Sequence, residues 1–308
     1  MSACDDGREI ARGDAEYPTS LLDLHDAPSR LYVRGDPTVL CAPCLSVVGA
    51  RRSTPYGRAI AEMAGRIAAE AGIVVVSGGA RGCDQAAGRA ALDAGGKHVM
   101  VLGTGADVLY PASSKDIEQR LLCGGGCIVS IEPWGTPVQR WAFPKRNRII
   151  AALSAALLVA EAGMPSGTFS TAEAANELGR EVFSVPGSMF APECKGSNYL
   201  IANGATCIAD EESLEIAISR VYGTLRFMRG NRRGLEGLAQ EDRAIVDALV
   251  ADSMRPDDLA ISLGRDALWC LKRLSALEVA GVVEPLLDGR YALTCGALHA
   301  LTRLGHNG

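Results

Sequence analysis

The sequence has no excess of positive charge: 31 lysines and arginines stand against 36 aspartates and glutamates, a formal net charge of −5 over 308 residues. No global field therefore draws the chain to a polyanion, and nucleic-acid binding would have to come from a local basic patch, because phosphate affinity depends on the charges near the strand. There is also no apolar run approaching the roughly 20 residues needed to cross a bilayer. The first residues, Met1-Ser2-Ala3-Cys4-Asp5-Asp6, are acidic and lack the apolar segment of a secretion signal. These absences predict a cytoplasmic protein with no membrane partner.

What is present is ordinary for a globular chain. Hydrophobic residues make up 48% and charged residues 22%, enough apolar material for a sizeable core, in a length that suits two domains or one large one. The ten cysteines are expected as thiols in a reducing compartment. Cys41-Ala-Pro-Cys44 and Cys123-Gly-Gly-Gly-Cys127 have the spacing of zinc ligands, but they lie far apart and neither sits in a recognisable knuckle. No metal and no cofactor are expected, and several of these cysteines are read as small apolar residues.

From Leu45 onward, short runs of valine, leucine and isoleucine alternate with alanine-rich stretches. Leu45–Ala50, Ile73–Ser77, His98–Leu102, Cys127–Ser130, Ala156–Glu161 and Val182–Val185 read as buried strands. Tyr56–Ala71, Gln85–Ala94, Lys115–Leu122, Arg148–Ser154 and Thr171–Leu178 read as helices. Continuous apolar strands alternating with helices imply a parallel sheet covered on both faces, an α/β, doubly wound, Rossmann-like fold. Such sheets bind ligands at the carboxyl ends of their strands, and glycines follow several of these strands, at Gly49, Gly78-Gly79, Gly103 and Gly163.

The alternation stops near Ile218. Residues 1–35 are read as an N-terminal segment with few periodic signals and a short strand at Leu31–Gly35. Residues 36–219 are read as the Rossmann-like domain and the arginine- and glycine-rich residues 220–240 as a linker. Residues 241–308 are read as three helices with leucines 268, 271, 274 and 277 at helical spacing, then a hairpin around Asp288-Gly289. Three helices and a hairpin suggest a winged helix. Its third helix offers only Arg265, Lys272 and Arg273 against Asp266 and Glu278, so a protein-contact or packing role suits it better than groove reading.

Four segments carry candidate chemistry. Val47 to Gly57 places Arg51 and Arg52 between a strand and a helix N-terminus, a place suited to phosphate. It lacks the three-glycine spacing of a dinucleotide fingerprint. Ser77-Gly78-Gly79-Ala80-Arg81-Gly82-Cys83-Asp84 repeats the strand-to-helix turn, with Asp84 as a plausible N-cap. Arg140 to Ile150 holds Arg140, Lys145, Arg146 and Arg148 around Phe143. Single-strand sites combine such a basic groove with an aromatic face on which a base stacks. Pro144 is read as structural, at the start of a helix. In the fourth segment, Glu161 to Glu173, the hydroxyls of Ser166, Thr168 and Thr171 and the Gly167 amide suit a phosphate, although Thr171 also reads as a helix cap.

Taken in order, these segments resemble the DNA-processing protein A (DprA/Smf) family. Its Val-Gly-(small)-Arg followed by Thr-x-Tyr-Gly is similar to Val48 through Gly57, and its Ser-Gly-x-Ala-x-Gly-x-Asp to Ser77 through Asp84. Its Leu-Gly-x-Gly-x-Asp…Tyr-Pro stands at Leu102 to Pro111, and its Phe-Pro-x-Arg-Asn-Arg-x-Ile at Phe143 to Ile150. The Ser-Gly-(Ser/Thr)-x-x-Thr-Ala pattern stands at Ser166 to Ala172, and Val185-Pro186-Gly187 and Gly196 to Ile201 complete the match. The resemblance implies an extended Rossmann-like fold, binding of single-stranded DNA without strong sequence preference, homodimerisation, and loading of the recombinase RecA during natural transformation. It also implies phosphate contacts at Arg51 and Arg140, a base against Phe143, and further contacts at Asn147, Ser166 and Gly167. With Arg52, Ser77, Gly78, Lys145, Arg146, Arg148 and Thr171 these make up the expected DNA site. The chain departs from the family pattern at Cys83, where the family has isoleucine, at Gly88, where it has histidine, and at Ile131, with Glu132 one place along. The helical N-terminal domain of many members is expected to be missing or reduced to residues 1–30.

Two other readings compete. A nucleoside-monophosphate phosphoribohydrolase of the lysine-decarboxylase-like Rossmann group has Pro-Gly-Gly-x-Gly-Thr-x-x-Glu. Against that pattern Pro165, Gly167 and Glu173 match, but Ser166 and Phe169 replace glycines, and Phe169 should crowd a phosphate loop. A transcription regulator using the winged helix would prefer one duplex sequence over single strands.

Overall fold

Valine-rich segments of period two build the sheet. In the computed structural model, which describes residues 7–223, 239–251, 253–286, 289–294 and 297, the chain divides into two compact units, Met1–Arg226 and Phe227–Gly308. The strands of the first unit are Arg8–Ala11 (β1), Arg30–Gly35 (β2), Cys44–Val48 (β3), Val74–Ser77 (β4), His98–Leu102 (β5), Gly126–Ser130 (β6), Ala156–Val159 (β7), Glu181–Ser184 (β8) and Thr206–Cys207 (β9). They form one nine-stranded sheet in the order β1-β2-β6-β5-β4-β3-β7-β8-β9. All neighbours from β6 to β9 are parallel, while β1 and β2 add to β6 in antiparallel fashion. The N-terminal segment is thus part of the sheet. β1 gives no signal in the sequence because its four residues, Arg8-Glu9-Ile10-Ala11, carry one large apolar side chain among charges.

The helices are Pro55–Glu70 (α1), Cys83–Asp93 (α2), Lys115–Arg120 (α3), Ala142–Leu153 (α4), Thr168–Glu177 (α5), Lys195–Ala202 (α6) and Glu211–Tyr222 (α7). Alternation along the strands sorts them into two layers. Leu45, Val47, Val75 and Leu158 face the side packed with residues of α1, α2 and α7. Val48, Val74, Val76, Leu157 and Val159 face the opposite side, packed with residues of α4 and α5 and with the N-terminal segment. Cys44, Cys83 and Cys127 are buried free thiols in this core, where a small apolar residue would otherwise sit.

Two helices begin three or more residues earlier than their patterns predict. α4 starts at Ala142 rather than Arg148, and α5 at Thr168 rather than Thr171. Pro144 is the third residue of α4, which helical geometry allows because the first backbone N–H groups have no intrahelical acceptor. Asp84 is not the N-cap of α2. Gly82 holds that position with φ +86°, and Asp84 is buried in the first turn, where it accepts a hydrogen bond from the Gly78 backbone N–H at 3.0 Å. The imidazole of His98 fills the space beside Gly88: a Cβ at position 88 would lie 2.7 Å from His98 Nε2.

The order of strands reverses between β3 and β7. Chain leaving β3 passes to β4 on one side, while β7 and then β8 continue the sheet on the other. Loops at such a switch point diverge and leave a crevice at the carboxyl ends of the two strands. Gly49 to Arg52 and Glu161 to Gly167 are those loops.

The second unit contains Gln240–Ala251 (α8), Pro256–Leu263 (α9), Ala267–Val279 (α10) and an antiparallel pair, Val283–Pro285 (β10) and Tyr291–Leu293 (β11). Its core joins Ile245, Leu249, Leu259, Cys270, Leu274, Leu277 and Val283. Of the four evenly spaced leucines only Leu274 and Leu277 are buried, whereas Leu268 is 63% and Leu271 41% exposed. A strict spacing of three drifts around a helix of 3.6 residues per turn, and Cys270 takes the inward place instead. Arg220 to Tyr222 belong to α7 and Gln240 opens α8, while residues 224–238 of the proposed linker and Asp288 of the hairpin lie outside the described residues.

Candidate nucleic-acid interface

The crevice at the switch point is a cavity of about 620 Å³. Of the residues expected at the DNA site, Arg51, Arg52, Arg146, Asn147, Ser166, Gly167 and Thr171 line it, together with Asp84, Met164 and Glu193. Its floor is Arg146, on the inward side of α4 and only 5% exposed. The guanidinium makes no hydrogen bond or ion pair among the described residues, and its Nε is buried without a partner. Burial pushes its pKa down to about 10, opposed by the carboxylate of Asp84 and reinforced by Arg51. It remains a cation at neutral pH. Asp84 is pushed the other way by its own burial, against the pull of Arg146 and of the Gly78 and Ala80 N–H groups.

The sequence makes room for this cation at Gly78. A Cβ there would lie 1.3 Å from Arg146 Nη1, so any other residue at position 78 displaces the guanidinium. Gly78 and Ser77 therefore serve the site from beneath. Ser77 is fully buried and its hydroxyl donates to the Asp84 carbonyl at 3.2 Å, which fixes the β4–α2 turn and keeps the serine out of the cavity.

Phe143 stands at the edge of this basic floor. The Arg51 guanidinium lies 5.3 Å and that of Arg146 5.8 Å from the centre of its ring, and the Tyr110 ring is 6.1 Å away. Such cation–ring contacts orient all three groups. Phe143 is half-buried, so it is neither a core residue nor a free one. Asn147 links two walls: its amide donates to Ser170 Oγ at 2.8 Å and reaches the Gly167 carbonyl at 3.4 Å. Through it α4 holds the first turn of α5.

The two helix N-termini at the crevice differ. α5 opens on Gly167 without a side-chain cap, beside the Ser166 hydroxyl, which accepts from the Thr168 N–H at 3.2 Å. Thr171 is not a cap but lies one turn in, buried. The N-terminus of α1 is closed. Thr54 caps it by accepting from the Gly57 N–H at 3.1 Å, and Pro55 has no N–H to offer. The buried carboxylate of Glu161 accepts from both the backbone N–H and the hydroxyl of Thr54. The anion site expected at the start of α1 is thus filled by the protein's own carboxylate. Arg51 and Arg52 face the cavity from the turn before it.

Three expected residues lie elsewhere. Arg148 points to the other side of α4, where it is paired with Asp26 at 2.7 Å. That cation draws Asp26 below the usual carboxylate range despite the opposing effect of burial. Lys145 is exposed and stands 4.6 Å over the ring of Trp141. Arg140 is exposed and makes no ion pair among the described residues. The features missed in the sequence are Glu161 and the contact between Gly78 and Arg146. A buried acid directly after an apolar strand is the one local signal that pointed to Glu161. As for the rival enzyme motif, Glu173 is exposed on α5 and does not line the cavity. The objection built on Phe169 fails, because that ring does not crowd the loop but packs 5.9 Å from Tyr199.

Comparison with known proteins agrees with this geometry. The family model for DNA recombination-mediator protein A matches residues 8–218. The chain belongs to that family. Protein Smf of Escherichia coli K12 is 34% identical over 278 residues, covering 89% of this chain and 74% of the relative. DNA processing protein DprA of Streptococcus pneumoniae is 39% identical over 200 residues, 64% of this chain and 70% of the relative. The crystal structure of S. pneumoniae DprA superposes with a TM-score of 0.64 at 36% identity, over 68% of this chain and 74% of that one. A structure of DNA processing protein A from Helicobacter pylori, described for its single-stranded DNA binding mode, gives the same TM-score at 27% identity, over 71% of this chain and 99% of that one. The matched residues 8–218 include every element that forms the crevice. No helix among the described residues is long and apolar enough to cross a membrane.

Proposed function

We propose that the crevice holds the phosphates of a single DNA strand, with Phe143 stacked on a base, and that this recombination mediator works by binding and handing over DNA rather than by catalysis. The observation that carries this reading is Arg146, a buried cation with no ion pair among the described residues, set beside the N-terminus of α5. A buried charge without a direct hydrogen bond or ion pair is costly, the Asp84 carboxylate offsets that burial only in part, and a phosphate oxygen is the complement of a guanidinium. Half-buried Phe143 beside Arg51 adds the aromatic face, which every base can use and which gives little sequence preference. The single-strand binding described for the H. pylori relative supports the choice of ligand.

The remaining proposals follow from family membership. The bound strand is passed to RecA recombinase during uptake of DNA in natural transformation, the protein acts as a homodimer in the cytoplasm, and residues 241–308 form a winged-helix domain that contacts protein. The test is a salt titration of binding to oligo-dT and to the equivalent duplex. The wild type should prefer the single strand, and Arg51→Ala and Arg140→Ala should each reduce the salt slope by roughly one phosphate contact. Equal slopes in wild type and both variants would remove the phosphate assignment. Release of free base from a nucleotide, lost in Glu173→Ala, would favour the enzyme instead.

A further inference from the structure

Trp141 does not line the crevice, yet it is a large aromatic left half-exposed on the same helix. Its side chain is 52% exposed at the N-cap of α4, where it makes no capping hydrogen bond. The other tryptophan described in this unit, Trp134, is placed differently: it meets Tyr32 edge-on at 5.3 Å, and its indole N–H donates to Glu9. At Trp141 one ring face is covered by the Lys145 ammonium, 4.6 Å from the ring centre and one turn along α4. The residue nevertheless stays half-exposed. A large aromatic plane held by a cation but not buried has the form of a stacking surface, and it leaves apolar area in water that a ligand can cover.

Its position relates it to the crevice. At 3.6 residues per turn, Trp141 and Phe143 project about 200° apart from the α4 axis. Phe143 and Arg146 therefore serve the crevice, while Trp141 and Lys145 serve the other side of the same helical turn. On that side Lys145 and Arg148 border a second cavity of about 300 Å³ against β2. Exposed Arg140 sits at the helix start between the two sides. A polynucleotide leaving the crevice past Phe143 reaches this turn next.

We propose that Trp141 is a second base-stacking platform: a single strand leaving the crevice crosses the first turn of α4, contacts Arg140 through a phosphate, and stacks a further base on the exposed indole. This rests on the reading of the crevice as a single-strand site and extends it by naming the path of the next nucleotides. Strand length separates the two. An oligo-dT of about 4 nucleotides should fill the crevice alone, and one of about 16 should also reach α4, these being the limits of site size for such grooves.

The experiment measures binding of both lengths by fluorescence anisotropy of labelled oligonucleotides. Trp141→Ala should weaken the longer strand about tenfold and leave the shorter one unchanged, and Trp141→Phe should recover most of the loss. In a Trp134→Phe, Trp269→Phe background, where Trp141 alone emits, the longer strand should quench the fluorescence and the shorter should not. Equal losses on both lengths overturn the proposal, as does an unquenched Trp141 when anisotropy shows the longer strand bound. If the wild type binds neither length, the crevice reading fails first and this one falls with it.

Discussion

The ends of α1 and α5 look alike in the sequence and behave differently in the structure. Each follows a strand at the switch point, through Gly49 or Gly163, and each offers hydroxyls and a helix start. At α1 the Glu161 carboxylate, 107 residues away, has taken the anion's place. At α5 the N-cap Gly167 has no side chain, the Thr168 and Phe169 N–H groups turn to Ser166, and a buried cation stands beside them. A strand–glycine–helix pattern thus shows where an anion site can form, while long-range charge decides which copy stays open. One end is a structural joint between β7 and α1; the other borders the crevice that we propose takes the ligand.

The comparison can be broken most directly at Gly78. Gly78→Ala places a methyl group where Arg146 Nη1 lies and should cost about 100-fold in oligo-dT affinity, as should Arg146→Ala, each losing a charge-assisted contact. Anisotropy titration at fixed salt reads both, and near-wild-type affinity in Arg146→Ala would mean that the open end of α5 needs no cation. The opposite break is Glu161→Ala. It frees the Thr54 cap from its anchor and leaves the Thr54 N–H and hydroxyl without their acceptor, so urea unfolding should show a loss on the order of 3 kcal/mol. If α1 only lacks an anion, added phosphate should restore part of that stability.

A pH series sharpens the comparison by setting the range in which binding can be read. His98 is fully buried in β5, and burial takes its pKa from 6.5 to about 4, against the Val75 carbonyl that raises it. Because the folded value is depressed, the unfolded chain binds the extra proton between these limits. Stability is complete above pH 6.5 and falls as the pH drops towards 4. From pH 7 to 5 the loss should be about 2 kcal/mol, and His98→Leu should remove that slope in urea midpoints measured at the two values. The smallest effect is expected at Ser166→Ala, a loss of about threefold in affinity with unchanged stability, since one neutral hydroxyl contact contributes little net.

Much of the fold was legible because the strands are continuous runs of valine, leucine and isoleucine whose alternate residues serve the two layers. β1 was not, since a four-residue edge strand with two charges has too little pattern. The start of α4 was set late because Lys145 and Arg146 read as loop, although Pro144 already marked a helix start and a first turn tolerates such cations. In the site, Arg51, Phe143, Asn147 and Ser166-Gly167 were readable as motifs. The inward turn of Arg146 and the outward turn of Arg148 were not, because consecutive cations look equivalent until helix phase assigns one to the cavity and the other to Asp26. The pairing of Gly88 with His98 was equally hidden. The His98 imidazole of β5 occupies the space that a side chain at position 88 would need.

The reach of Asn147 from α4 to the first turn of α5 has a kinetic meaning. With α4, which carries Phe143, and the Ser166-Gly167 turn tied into one body, the protein should have little to reorganise if a strand binds there as proposed. The loss of freedom falls on the flexible polynucleotide. Encounter should then be fast and steered by charge, with salt acting mainly on the association rate. Escape should be governed by how many bases are stacked at once, so residence time should lengthen with each nucleotide the surface can seat.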